Sequence, residues 1–224
     1  MLNKDKRSLC LSLILGDGNL HIAKDGYARL TIDHGIQQSD YQAWKAKLLS
    51  DMFDRNVKCR TGHKGKSVQV QVCNNVFKAW KKFTYPNNKK DLSRILPFIR
   101  HPEFAIAVWL MDDGYVEPSY SKLADGSKKN YGARFRLFTC DQDQDTQIKL
   151  IKWIKDNLDV DCKVHVNFNK KYNKDYPFLK FNNENSLKLW SKIREFVLQF
   201  KSMQYKFRYI EELYQNRMTQ CTPA

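Results

Sequence analysis

The stretch Leu11–Gly18 reads Leu-Ser-Leu-Ile-Leu-Gly-Asp-Gly, an apolar run that ends in a small residue, an acid and a glycine. A helix over Lys6–Gly16 is apolar nearly all round, which predicts burial. Ser12 and Gly16 lie four apart, on one helical face, where small side chains let another helix backbone approach. Gly18 is suited to ending the helix. An acid at the negative end of a helix is electrostatically disfavoured. Stability alone does not choose Asp17 there, so a positive group is expected opposite it.

The pattern recurs at Ala105–Gly114, Ala-Ile-Ala-Val-Trp-Leu-Met-Asp-Asp-Gly. The acid directly before the glycine is Asp17 in the first copy and Asp113 in the second. Two apolar helices of this kind predict a pseudo-twofold pair. If they pack side by side, their ends bring Asp17 and Asp113 together. Asp112 is the rival of Asp113 for that role.

Both stretches resemble the LAGLIDADG motif of homing endonucleases, in its Gly-Asp-Gly and Asp-Asp-Gly forms. The resemblance covers most of the chain. It departs at Ser12 and Val108, which stand where glycine is usual; the small residues of the second copy are Ala105 and Ala107. It implies a monomeric, site-specific endonuclease that makes a double-strand break in a long asymmetric DNA target and is typically intron-encoded. It also selects Asp113 over Asp112 as the metal-binding acid. The stretch Asn87-Asn88-Lys89-Lys90 resembles one that precedes the second motif in a monomeric subgroup, which assigns Lys90 to the active site. Met203-Gln204-Tyr205-Lys206 resembles the partner segment and assigns Lys206.

Composition agrees with a polyanionic partner. With 39 Lys and Arg against 24 Asp and Glu, the formal charge is +15, spread along the chain. Charge of this kind speaks to association, not to fold. No apolar run approaches membrane-spanning length, and the N-terminus lacks a signal peptide's apolar region and cleavage site. The six cysteines, Cys10, Cys59, Cys73, Cys140, Cys162 and Cys221, form no C-x-x-C pair. They predict no zinc site. Most read as small core residues in a reducing intracellular compartment.

The remaining periodicities predict α-β-β-α-β-β-α, twice, with repeats at 1–100 and 101–224. Each is an α+β unit, an antiparallel sheet with helices on one face. Tyr27–Asp33 alternates, with Ala28, Leu30 and Ile32 on one side. In Ser67–Cys73, Val68, Val70 and Val72 oppose Gln69 and Gln71. Ser39-Asp40 is a helix-cap signal. The helix over Asp145–Leu158 places Ile148, Ile151, Trp153 and Ile154 on its apolar side. Asn75–Trp80 and Asn185–Trp190 share a pattern that supports the repeat. The open sheet faces collect Arg29, Gln69 and Gln71 in the first half, and Arg134, Arg136, Lys163, His165, Asn167 and Lys180 in the second. These residue types read base edges in a major groove, which admits a β-ribbon.

Phosphodiester hydrolysis needs an activated water and neutralisation of the departing oxygen, and carboxylate-held ions supply both. Asp17 and Asp113 are the expected metal ligands, with the neighbouring helix-end positions Gly16 and Asp112 adding oxygens. Hard oxygen donors select Mg²⁺, with Mn²⁺ as a substitute and Ca²⁺ expected to bind without supporting cleavage. Two other functions use the same surface, an intron RNA maturase and a DNA-binding regulator without catalysis. The intact pair of acids favours the endonuclease over both.

Overall fold

The computed structural model describes residues 2–123, 125–139, 142–171 and 173–221. The first half runs α1 (Lys4–Leu15), β1 (Asn19–Ile22), β2 (Ala28–Gly35), α2 (Ser39–Phe53), β3 (Cys59–Gly62), β4 (Ser67–Cys73) and α3 (Val76–Thr84). Short 3₁₀ turns follow at Pro86–Asn88, Leu92–Arg94 and Leu96–Phe98. The second half runs α4 (Pro102–Asp113), β5 (Gly114–Lys122), β6 (Lys128–Phe138), α5 (Gln144–Leu158), β7 (Cys162–Asn169), β8 (Lys174–Phe181) and α6 (Asn183–Val197). The 3₁₀ turn Lys201–Met203 leads into α7 (Gln204–Cys221).

Each half carries one antiparallel four-stranded sheet, in the orders β1-β2-β4-β3 and β5-β6-β8-β7. The alternation in the strands decides which face is covered. Ala28, Leu30 and Ile32, with Val68, Val70 and Val72, are all buried on the helix side, as are Ala133, Phe135 and Leu137 in the second sheet. Thr31 pairs with Gln71 and Asp33 with Gln69 on the opposite face, because successive side chains of a strand point to opposite faces.

Helix α1 starts at Asn3, whose side-chain oxygen accepts the Lys6 N–H at 2.8 Å. Helix α4 starts on Pro102, whose missing N–H costs nothing in the first turn. Every residue from Leu11 to Leu15, and from Ala105 to Met111, is buried. Gly18 and Gly114 end the two motifs because of close approach and not because of positive φ. A Cβ at Gly18 would overlap the Leu13 carbonyl, and one at Gly114 the Leu110 carbonyl. The two halves repeat in detail. Gln42 and Gln147 are both buried, and α2 and α5 end on left-handed aspartates, Asp54 and Asp159.

Three expectations need correction. Ile148 of α5 is 56% exposed, while Ile154 is buried and Ile151 and Trp153 pack partly buried against the core as expected; Gln147, Leu150 and Leu158 complete the buried side. In that turn Gln147, not Ile148, faces inward. Ser39-Asp40 does not cap α2; Asp40 bonds Ser202 of the second half, through the Ser202 N–H at 3.2 Å and its hydroxyl. Among the cysteines, Cys10 and Cys162 are buried, but Cys59 is exposed at the start of β3 and Cys73 half-buried at the end of β4. Cys140 and the side chain of Cys221 lie outside the described residues.

The strand register yields a stability test. Val70 has no exposed surface, whereas Gln71 is half-buried on the open face. Val70→Ala should cost about 1–3 kcal/mol in denaturant unfolding. Gln71→Ala should stay within about 0.5 kcal/mol.

Candidate active site at the paired helix ends

Helices α1 and α4 pack side by side, so their C-terminal ends meet. Gly16 lies against the Asp112 side chain; a Cβ there would overlap the carboxylate. This contact lets the Asp112 Oδ2 accept the backbone N–H of Asp17 at 3.0 Å. Asp112 has no exposed side-chain surface. Its charge is met by Lys45, a fully buried residue of α2, whose Nζ lies 2.7 and 2.9 Å from the two carboxylate oxygens. The Tyr41 hydroxyl donates to Asp112 Oδ1 at 3.0 Å. Burial opposes ionisation of Asp112, but Lys45, His34 and the Asp17 amide outweigh it and hold the carboxyl below its usual range.

Asp17 and Asp113 differ from Asp112. Both line a cavity of about 340 Å³ together with Gly16, Asn19, Lys90, Thr139 and Gln142. Burial, then the charges of Asp112 and Asp113, push the Asp17 carboxyl up to about 7. Burial and Asp112 push Asp113 up to about 6. His34, at the end of β2, sets its Nδ1 3.4 Å from Asp17 and its Nε2 2.8 Å from Lys45 Nζ. Burial and Lys45 depress its pKa to about 4, so the ring is neutral near pH 7.

The two lysines assigned by resemblance sit in matching places. Lys90 Nζ donates to the carbonyls of Ile14 and Gly16 at 2.9 and 2.8 Å. Lys206 Nζ donates to those of Met111 and Asp112 at 2.6 and 3.0 Å. Each motif helix lacks a basic residue in its own last turn, and each receives an ammonium at its negative end. Burial lowers the Lys206 pKa despite the three acids nearby. The segment that carries each lysine is gripped by the other half. Gln142 accepts the Leu92 N–H at 3.0 Å and donates to the Lys90 carbonyl at 2.9 Å. Gln38 donates to Tyr205 at 3.2 Å, beside the Asp40–Ser202 bonds.

The donor set at the cavity fits a divalent cation. Two hard carboxylates face one space, and burial together with the charge of Asp112 raises their affinity for protons despite the lysines nearby. Asp17, His34 and Asp112 also present donor atoms within 4.8 Å of one another. In that cluster, however, the Lys45 ammonium already supplies the cation. The Asp112 carboxylate is engaged by Lys45, Tyr41 and Asp17. What Gly16 and Asp112 offer at the helix ends is a carbonyl oxygen each, shared with Lys90 and Lys206. A carbonyl has two lone pairs, so one remains.

On the open faces, Gln69 donates to Asp33 at 2.9 Å and Gln71 to Thr31 at 3.3 Å, while Arg29 pairs with Asp25. In the second sheet, Glu117 gathers Arg134, Arg136 and Lys180, the last at 2.9 Å. Lys163, His165 and Asn167 are exposed on β7, with His165 stacked on Phe178. Sequence reasoning missed Tyr41, Lys45, His34, Gln142 and Glu117. Lys45 carried a readable signal, since it falls four residues after Tyr41 and four before Leu49 in the apolar stripe of α2. A charged residue is almost never fully buried unless paired.

The shifted acids set a pH dependence. An aspartate titrates near 3.9 when unfolded, and Asp17 near 7 when folded. The folded chain therefore holds a proton that the unfolded chain has released. Stability from this group is full below about 4 and is lost as pH rises through about 7. His34 runs the opposite way, its contribution lost as pH falls from about 6.5 through about 4. The difference between Asp17→Asn and the unaltered chain isolates the acid. In a chelator, the variant should be no more stable near pH 4 and about 1–2 kcal/mol more stable at about pH 8, after allowing for solvent screening of a side chain one-third exposed. Thermal unfolding across pH measures this.

A model of the LAGLIDADG DNA endonuclease family matches residues 7–189. No curated protein matches the sequence. Among solved structures, the homing endonuclease I-WcaI bound to its DNA recognition sequence superposes with a TM-score of 0.64 at 21% identity, over 92% of this chain and 87% of that one. The meganuclease I-SmaMI bound to uncleaveable DNA gives 0.55 at 10% identity, over 96% and 90%. I-DmoI in complex with DNA and Ca gives 0.52 at 14%, over 85% and 89%. These likenesses are of fold, two four-stranded sheets flanking a central helix pair. With the family match spanning most of the sequence and both acid-glycine motifs meeting at one site, the chain belongs to the LAGLIDADG DNA endonuclease family.

Proposed function

We propose that this chain acts alone as a site-specific endonuclease, cutting both strands of a long DNA duplex at Asp17 and Asp113 with Mg²⁺ as the working ion. The observation that carries the reading is the meeting of two partly open carboxylates of raised pKa at one cavity, with an ammonium at each helix end. One chain supplies both motifs, so no second copy is needed to complete the site. Repeats at 1–100 and 101–224 would each read one half-site.

A divalent cation held there supplies neutralisation of phosphate charge and a more acidic water. The chain's own groups supply the rest. Asp17 and Asp113 would be the side chains that hold the ion. Lys90 and Lys206, held on the helix-end carbonyls, place positive charge where a scissile phosphate gains negative charge. Arg29, Gln69 and Gln71 on one sheet, and Arg134, Arg136, Lys163, His165, Asn167 and Lys180 on the other, face the grooves. In the second sheet Glu117 holds Arg134, Arg136 and Lys180 in place before DNA arrives, which reduces the entropy lost on binding.

Incubation with a randomised duplex library and Mg²⁺ tests the reading directly; selective binding to RNA without cutting would favour a maturase. Asp17→Asn or Asp113→Asn should abolish double-strand cleavage while binding is largely kept. Either variant cutting at a near-unaltered rate would show the two-acid site to be wrong. Ca²⁺ in place of Mg²⁺ should support binding with little cutting. Affinity for the duplex should also fall steeply with salt, on the order of 10³-fold between about 50 and about 200 mM, as expected for six or more neutralised phosphates. Gel shifts across a salt series read it.

A further inference from the structure

The pseudo-twofold that relates the halves fails around the paired helix ends. The spacing that carries Asp17 onto Asp113 carries Gly16 onto Asp112. The spacing that carries Gln42 onto Gln147 and Asp54 onto Asp159 carries Lys45 onto Leu150, Tyr41 onto Thr146 and His34 onto Thr139. On one flank of the helix ends, then, stands a buried set of ionic groups. On the other stand a glycine, a leucine and two threonines.

The consequence is mechanical. Asp112 fixes the backbone of Asp17 through its N–H at 3.0 Å, and Lys45 and Tyr41 fix Asp112. His34 closes the side of the Asp17 carboxylate. Among the described residues, no side chain grips the amide of Asp113 in return. Gly16, which stands where that grip would come from, has no side chain to make it. Asp113 is held instead as the last residue of α4, and its carboxylate shares with Asp17 the cavity lined by Thr139 and Gln142.

We propose that Asp112 and Lys45 are positioning residues for Asp17 alone, so that the two DNA strands are cut in a fixed order through a nicked duplex. The inference rests on the endonuclease reading. In each strand, hydrolysis forms one bond from phosphorus to the water oxygen. It breaks one to the departing oxygen, which takes up the proton the water gives up. Only the geometry of the groups around the phosphate differs between strands. A displacement of about 1 Å in such a group can change a rate by about 10²-fold.

The test uses a supercoiled plasmid carrying a target recovered from the duplex library, with each strand end-labelled in parallel. The unaltered chain should accumulate nicked circles, with the early nicks on one strand. The double variant Lys45→Met with Asp112→Asn removes both buried charges together and leaves neither unpaired. It should slow one strand by about tenfold or more and the other by less than about twofold, with Ca²⁺-dependent duplex binding within about twofold of the unaltered chain. Tyr41→Phe removes one hydroxyl from the same set without changing its volume much, and should slow the same strand by a smaller factor. It keeps the test decisive if the double variant fails to fold. Equal rates on both strands of the unaltered chain, or rates that fall together in the variants, would overturn the inference while leaving the endonuclease intact. A chain that cuts neither strand would defeat the endonuclease reading, and this inference with it.

Discussion

The ammonium of Lys45 is the charge on which the meeting of the two motif helices depends. Asp112 comes from α4 and reaches across to the backbone of Asp17 at the end of α1, in a place with no access to water. An ionised carboxylate cannot remain there without a partner. Removing one member of a buried pair typically costs about 3–5 kcal/mol, because the other charge is left uncompensated. Lys45 arrives from α2, so the helix that covers the first sheet also neutralises the seam between the halves. Gly16 is the other half of the arrangement, since any side chain there would occupy the space of the carboxylate. The bond between the motifs is therefore specific in geometry more than it is a source of net stability.

The lysines at the helix ends answer a second electrostatic problem. Two helices that end side by side bring two sets of unpaired carbonyls together, and three acids besides. Lys90 and Lys206 relieve the carbonyls directly. The acids that remain, Asp17 and Asp113, face the cavity with carboxyls pushed up to about 7 and about 6. Charge expected opposite Asp17 is thus present, but it is spent on the backbone and on Asp112, and the acid facing the cavity is left ready for a ligand.

Much of this was legible in the residues. The two apolar runs ending in acid-glycine are local signals, and the alternation in Ser67–Cys73 fixes the faces of β4 because a one-residue shift would bury Gln69 and Gln71. On the apolar side of α5 only Ile148 was misplaced, because it is hydrophobic and its buried neighbour Gln147 is not. The buried glutamine makes sense only when its pseudo-equivalent, Gln42, is seen donating to the Ile32 carbonyl beneath α2. The part of the site that escaped was the part made by long-range contact. Lys45 and Asp112 are 67 residues apart in sequence, and neither helix pattern alone announces that they meet. Asp40, a plausible cap by position, was drawn away by Ser202 from the far end of the chain.

The grips on the two lysine-bearing segments cross over. Gln142, just ahead of α5, holds the segment that carries Lys90, while Gln38 and Asp40 of the first half hold the segment that leads to Lys206. Neither half owns a finished set of reactive groups. A chimera that joins one half of this chain to the opposite half of a relative would inherit both sheets and both acids, yet leave each lysine-bearing segment facing a stranger. An exchange of halves between relatives therefore keeps both contacts only when the residues around Gln38 and Gln142 are transferred as a matched set.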